Sequence, residues 1–409
     1  MAQTDWQALS IRAGMAFTPA APVDAKALFA GRIGQLRQVV DAVNQKGQHA
    51  IVFGERGVGK TSLANIIEST LGGGSVFAPR VNCDGTDTYS SLWRKMFRQI
   101  TLQRSLPGMG LGTTTTTTSG TVAEQLPDDI GPDDVVAILE ALSSVLLILV
   151  IDEFDRISNA RVRTAIADTI KTLSDHTIDA TIVLVGVADS VDELIEEHQS
   201  IERALVQIRM PRMSTGELHE ILDNGLRVLG MSMDPQAKQE IASLSKGLPH
   251  YAHLLGRHAA RAAADAESLT IGMDHVRAAT SNALDEAQHT TQSAYHKATM
   301  SARTDSMFRE VLLACALAKT DDLGYFAAGD IRDPLSIIKG KDYNIPGFAR
   351  HLSDFCGHGR GPILQKTGSP RRYRYRFFNP LMQPYIIMRG TTDGLVTQDA
   401  LVRIEQAQS

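Results

Sequence analysis

His49-Ala50-Ile51-Val52-Phe53-Gly54-Glu55-Arg56-Gly57-Val58-Gly59-Lys60-Thr61 is the run on which the rest of the chain can be hung. Its first five residues read as a short apolar strand, and Gly54 to Thr61 fits the phosphate-binding pattern G-x-x-x-x-G-K-[ST] without a departure. Glycines at 54, 57 and 59 permit backbone angles and close approaches that a Cβ would block, so successive N–H groups can face phosphate oxygens. Lys60 is placed to reach the β- and γ-phosphates, and Thr61 to give its hydroxyl to Mg²⁺. Helix signals over 61–71 add the positive end of a helix dipole. Strand, loop and helix in that order form the context the pattern requires, so Glu55, Arg56, Val58 and Ser62 join the candidate contacts.

About 90 residues on, Leu146-Leu147-Ile148-Leu149-Val150-Ile151-Asp152-Glu153 delivers two carboxylates at the end of a second apolar strand. Ligands of open α/β sheets bind at that end. Asp152 suits the shell of Mg²⁺, and Glu153 suits orienting or deprotonating an attacking water. Further strand signals at 75–81 and 181–187 alternate with helix signals at 28–44, 89–102, 133–142 and 160–174. Strands made of continuous Val/Ile/Leu runs between helices predict a parallel sheet covered on both faces.

The chain is 409 residues long, too long for one compact core. The predicted order is an N-terminal arm (1–25, loosely ordered), an α/β core (26–212), a helical region (213–298), a further small domain (299–392) and a tail (393–409). Residues 104–133, with six consecutive threonines (Thr113 to Thr118), read as a flexible insertion in the core. A net charge of −5 excludes a uniformly basic nucleic-acid coat. Three widely spaced cysteines give no disulfide framework or metal knuckle, which suits a reducing cytosol, and no apolar run reaches the ~20 residues of a membrane span. The expectation is a cytoplasmic protein with no membrane partner.

Leu28-Phe29-Ala30-Gly31-Arg32, Ile151-Asp152-Glu153-Phe154-Asp155-Arg156-Ile157 and Gly247-Leu248-Pro249, taken with the glycine loop, resemble AAA+ ATPases. The similarity is greatest to the branch shared by origin-recognition initiators, transposition regulators and STAND-type NTPases, and it spans roughly residues 26–390. The resemblance implies an α/β P-loop NTPase core with a parallel sheet, an all-helical lid and a winged-helix domain. It also implies ATP and Mg²⁺ as cofactors, bound between core and lid, and association into a homo-oligomer. Phe29, Gly31, Arg32 and Pro249 are then placed by the adenine. Where the family often has a polar sensor after its fourth core strand, this sequence has no Asn, and Asp189 or Ser190 stands there. His198 to Leu205 resembles the segment carrying an arginine finger, with Arg203 the best match.

His250, His253 and His258 lie in the helical region at spacings that do not bring three ligands to one face. The last message is basic. Residues 300–390 hold 14 Lys and Arg against 8 Asp and Glu, a net +6 that leaves −11 for the rest of the chain. Gly361 to Phe378 alternates like a β-hairpin, with Arg372, Arg374 and Arg376 predicted on one face and Tyr373, Tyr375 and Phe377 on the other. Arg371 adds a further charge, and Arg350 and His351 sit on the helix expected to enter a groove. Double-stranded DNA and a protein are the two candidate partners of this domain. The first would make the chain an ATP-driven initiator or transposition regulator, the second a STAND-like signalling or defence switch.

Overall fold

The computed structural model describes residues 5–19, 30–72, 76–106, 116–188, 191, 199–302, 306–370 and 372–408. Contacts divide the chain into two compact units, one made of Pro22–Gly54 with Gly59–Met210, the other of Met1–Ala21, Glu55–Val58 and Pro211–Ser409.

The first unit is built on a parallel sheet. Its strands are β1 (His49–Gly54), β2 (Val76–Phe77), β3 (Arg80–Asn82), β6 (Leu146–Asp152), β7 (Ala180–Val187) and β8 (Leu205–Arg209), in the order β2-β6-β7-β1-β8 with β3 also against β6. Every position of β1 is buried, and all but one of β6 and of β7, as in a sheet covered on both faces. Helices α2 (Ile33–Val43), α3 (Lys60–Leu71), α4 (Tyr89–Phe97), α5 (Pro132–Ala141) and α6 (Ala160–Asp175) supply that cover. Because β7 lies between β1 and β6, the strand leading to the glycine loop and the strand ending in Asp152 are two places apart.

The threonine-rich span departs from its expected looseness. Strands β4 (Thr101–Leu106) and β5 (Thr116–Thr121) pair antiparallel from Thr101↔Thr121 to Leu106↔Thr116, and Val122, Ala123 and Ile130 enter the core beside Trp93 and Phe97. Threonine is β-branched and fits a pleated strand, which a reading based on polarity alone passes over.

The second unit is helical through α7 (Thr215–Leu229), α8 (Pro235–Ser245), α9 (Pro249–Asp265), α10 (Met273–Glu286) and α11 (His289–Thr299), with a two-residue parallel pairing of β9 (Ser232–Met233) and β10 (Thr270–Ile271). The N-terminal segment is ordered against it. Asp5 caps α1 (Trp6–Ala16), accepting from the Ala8 amide, and α1 lies on α7 and α9. The following Phe17 is fully buried at two helix glycines: a Cβ on Gly225 would lie 2.4 Å from its ring, and one on Gly256 2.8 Å. Over Trp6–Ala16 the expected loose arm is therefore a docked helix, because these glycines open a socket for the aromatic ring that follows it.

Beyond residue 306 come α12 (Phe308–Leu317), α13 (Arg332–Lys339) and α14 (Ala349–Cys356), with a three-stranded antiparallel sheet in the order β11 (Phe326–Ala327), β13 (Arg374–Phe377), β12 (Leu364–Thr367). Helices α15 (Met382–Thr392) and α16 (Gln398–Gln408) follow, so the expected tail is largely helical, with Leu401 and Ile404 buried. Among the described residues no helix is long and apolar enough to cross a membrane.

Candidate nucleotide site

Strand β1 runs directly into the glycine loop. At Gly54 the backbone has φ +152, and a Cβ would meet the Met210 carbonyl oxygen at 2.4 Å. Gly57 (φ +88) and Gly59 (φ +98) take left-handed angles that other residues adopt only with strain. Gly59 stands at the N-cap of α3 without a side-chain cap, so the first turn presents its amides toward the loop. Lys60 is almost fully buried, and its ammonium donates to the Gly54 carbonyl oxygen at 2.9 Å across the loop's mouth.

Asp152 ends β6 with 2% of its surface exposed. Its Oδ1 accepts from the Glu153 amide at 2.8 Å, while Oδ2 is buried without a hydrogen-bond partner and lies 3.6 Å from Arg80 Nη1. Burial raises its pKa, only partly opposed by the Glu153 amide, the Arg80 charge and the Thr61 hydroxyl. A buried carboxylate oxygen without a hydrogen-bond partner, next to the hydroxyl that opens a glycine-loop helix, is the donor set a hard divalent cation takes. The residues present therefore fit Mg²⁺.

Residues 43–195, which hold this arrangement, match the family model described as an AAA domain. The fold is similar to that of a Walker-type ATPase of Pyrococcus abyssi, at 15% identity over 90% of this chain and 98% of that one, with a TM-score of 0.50. The ORC2 protein of Aeropyrum pernix, in its ADPNP–ADP complexes, is similar at 15% identity over 97% of this chain and 98% of that one (TM-score 0.49). The ORC1 protein of the same organism, in complex with DNA, is similar at 15% identity over 93% and 97% (TM-score 0.47). No curated protein matches the chain. At these identities the likeness concerns the fold.

Other candidate residues of the first unit fall in several places. Glu153 has left-handed backbone angles (φ 56, ψ 36), uncommon for a residue with a side chain, and its carboxylate is engaged by Arg156 Nη1 at 2.8 Å. Arg32 is buried at the start of α2, and Gly31 before it has φ +71. Arg203 is exposed on the short 3₁₀ turn Gln199–Ala204. Phe29, Asp189 and Ser190 lie outside the described residues, and the end of β7 is marked instead by the Val187 amide donating to Asp155 Oδ1 at 2.8 Å.

In the second unit, Pro249 starts α9 just after Gly247, whose φ is +78 and where a Cβ would sit 2.7 Å from that of Arg212. The three lid histidines go to three different partners: His250 to the Pro19 carbonyl, His253 edge-on to Phe17, and His258 to Glu286, which also holds Arg257. On β13 the predicted alternation appears, with Tyr375 and Phe377 packed on Phe326. Its arginines are less open than the sequence implied. Arg374 is paired with Asp321 at 3.1 Å, and the Arg376 guanidinium lies over the Tyr325 ring at 4.6 Å. His351 turns in against Phe308, while Arg350 and Arg372 are exposed and Arg371 lies outside the described residues.

Two residues of consequence escaped the sequence. Arg80 on β3 faces Asp152 and also binds Asn65 of α3. Arg212 binds Glu55 of the glycine loop through both arms of its guanidinium. Neither belongs to the motif pattern, and only the fold brings them to it.

Proposed function

We propose that this chain is an ATP-binding and ATP-hydrolysing molecular switch of the initiator or transposition-regulator type. The observation that carries the reading is Asp152: a buried carboxylate with one oxygen lacking a hydrogen-bond partner, beside Thr61 and at the same end of the sheet as a buried lysine closing a glycine loop. The loop amides and Lys60 hold the phosphates, Arg32, Gly31 and Phe29 are assigned to the base, and Thr61 with Asp152 would hold Mg²⁺. When bound, the ion supplies charge neutralisation across the phosphates. Glu153 orients the attacking water and takes its proton, for which its carboxylate must exchange Arg156 for that water. The three thiols are free, as a cytosolic protein's would be.

Arg203 is assigned to a neighbouring subunit's site, on its exposure and its family-like segment. Glu153→Gln should keep nucleotide binding and lose turnover, since the amide preserves shape but accepts no proton. Arg203→Ala should lower turnover without weakening binding. Mixing the two variants should restore part of the activity only if the arginine acts in trans; a Glu153→Gln protein that turns over at the wild-type rate would refute the assignment of Glu153.

The nucleotide state is coupled to DNA binding or assembly through the basic C-terminal region, read here as a winged helix. A second reading, a STAND-like switch whose winged helix contacts protein, is favoured by one observation: Arg374 and Arg376 are already engaged by Asp321 and Tyr325.

A further inference from the structure

The residue after Pro211 is Arg212, to which no motif gives a role, yet its guanidinium makes four hydrogen bonds. Nε and Nη2 donate to the two oxygens of Glu55 at 2.7 and 3.0 Å, and Nη1 donates to Gln383 Oε1 at 2.5 Å and to the Lys246 carbonyl at 3.3 Å. Both side chains of the ion pair are nearly closed off from water, at 11% and 4% exposure. A planar fork on a buried carboxylate is stiff in both distance and orientation, so Arg212 must follow wherever the loop carries Glu55.

Two routes lead onward from Arg212. The first passes through Gln383, 2% exposed on the opening turn of α15, whose amide also donates to the Ala316 carbonyl near the end of α12 at 2.8 Å. The second passes through Gly324, whose φ is +78. A Cβ there would lie 2.8 Å from Arg212 Nη2 and 2.9 Å from Glu55 Oε1, so this turn is pressed against the ion pair and suits glycine alone. In the same turn Asp321 accepts from the Leu323 and Tyr325 amides and pairs with Arg374 of the basic hairpin. An open cleft of about 400 Å³ is lined by Arg212, Lys246, Lys319 and Gln383.

We propose that Arg212 is a positioning residue that transmits the state of the glycine loop to the C-terminal sheet and to α15. Filling the loop turns its amides to phosphate and moves Glu55. Arg212 moves with its partner, because a buried carboxylate does not readily part from a fork of donors. The Gln383 bond and the turn around Gly324 then reset together, and with them Arg374. The inference rests on nucleotide binding at the loop and adds a path out of it.

Hydrogen–deuterium exchange on the full chain, with and without a non-hydrolysable ATP analogue and Mg²⁺, tests it alongside a calorimetric titration of the same analogue. In the wild type, exchange in 319–325 and 382–392 should change by about twofold or more on binding. Gln383→Leu should bind the analogue within about twofold of wild type and lose the response in 382–392. Arg212→Lys, whose single ammonium cannot hold Glu55 and Gln383 together, should lose both responses, and it carries the same test if the Gln383 variant does not fold. Binding without any change in the two segments, or a full response in Gln383→Leu, overturns the proposal. Absence of binding in the titration overturns the nucleotide reading itself, and so is told apart.

Discussion

His49 opens β1 with its ring enclosed, and the Ile182 amide donates to its Nδ1 at 2.9 Å. Burial pushes its pKa down to about 4, and burial together with the nearby His250 does the same to His253. An unfolded histidine titrates near ~6.5, so the unfolded chain takes up protons between that pH and 4 while the folded rings do not. Stability is therefore intact above about pH 6.5 and lost as pH falls toward 4, by roughly 3 kcal/mol per ring at the low end. The apparent Tm should be level from pH 8 to 7 and fall below pH 6.5, and His253→Leu should make that fall visibly shallower. A pH profile in the variant that overlays the wild type would contradict this account. Neither ring advertised itself in the sequence, because a histidine's titration is set by how much water its neighbours exclude, and that is a property of the packed strand or helix. The glycine loop is the opposite case: its conformation is written in glycines at 54, 57 and 59, each needed for a positive φ that the structure bears out.

Among the elements, α1 was the one a reader of the sequence could have found. Asp5 as a cap followed by Leu9, Ala13 and Ala16 is helical spacing, and all three of these residues are buried. The prolines at 19 and 22 and the lack of a strong apolar face weaken that signal. Its anchor was also split across the chain: Phe17 needs Gly225 and Gly256, some two hundred residues later, and nothing local joins them. Removing the ring leaves a cavity in a well-packed socket, a change that typically costs about 3–5 kcal/mol. Phe17→Ala should free α1 before the rest of the lid yields, so trypsin should cleave after Arg12 at least about tenfold faster while the main melting transition moves little. An unchanged cleavage rate would mean that other contacts hold the helix. Strands β1, β6 and β7, by contrast, were legible, since strands buried on both faces are written as unbroken apolar runs, whereas β8 was not, because Gln207 and Arg209 interrupt its apolar residues. The β4–β5 pair was not, because a threonine run looks equally like solvated chain until its partner strand is known.

For the molecule as a whole, charge is distributed more informatively than its total suggests. The basic region stands against an acidic remainder, but Arg374 and Arg376 meet Asp321 and Tyr325, which a hairpin pattern alone could not reveal. Of the described candidates Arg350 and Arg372 are the least engaged, Arg350 being highly exposed with Asp354 no nearer than 4.0 Å. Binding to duplex DNA should accordingly be weak and tolerant of sequence, with log K falling against log salt at a slope of roughly −2. Replacing Arg350 and Arg372 together by Ser should flatten that slope nearly to zero, whereas a slope near about −4 would show that the hairpin pairs open on DNA, and no binding at low salt would leave the protein-contacting reading. All of this depends on nucleotide at the loop, and one calorimetric titration of ATP with Mg²⁺ addresses it most directly. The wild type should bind one ATP per chain, and Lys60→Ala, which removes the buried cation at the loop's mouth, should bind at least about a hundredfold more weakly. Equal affinity in the two proteins, or no binding by the wild type, would contradict the account.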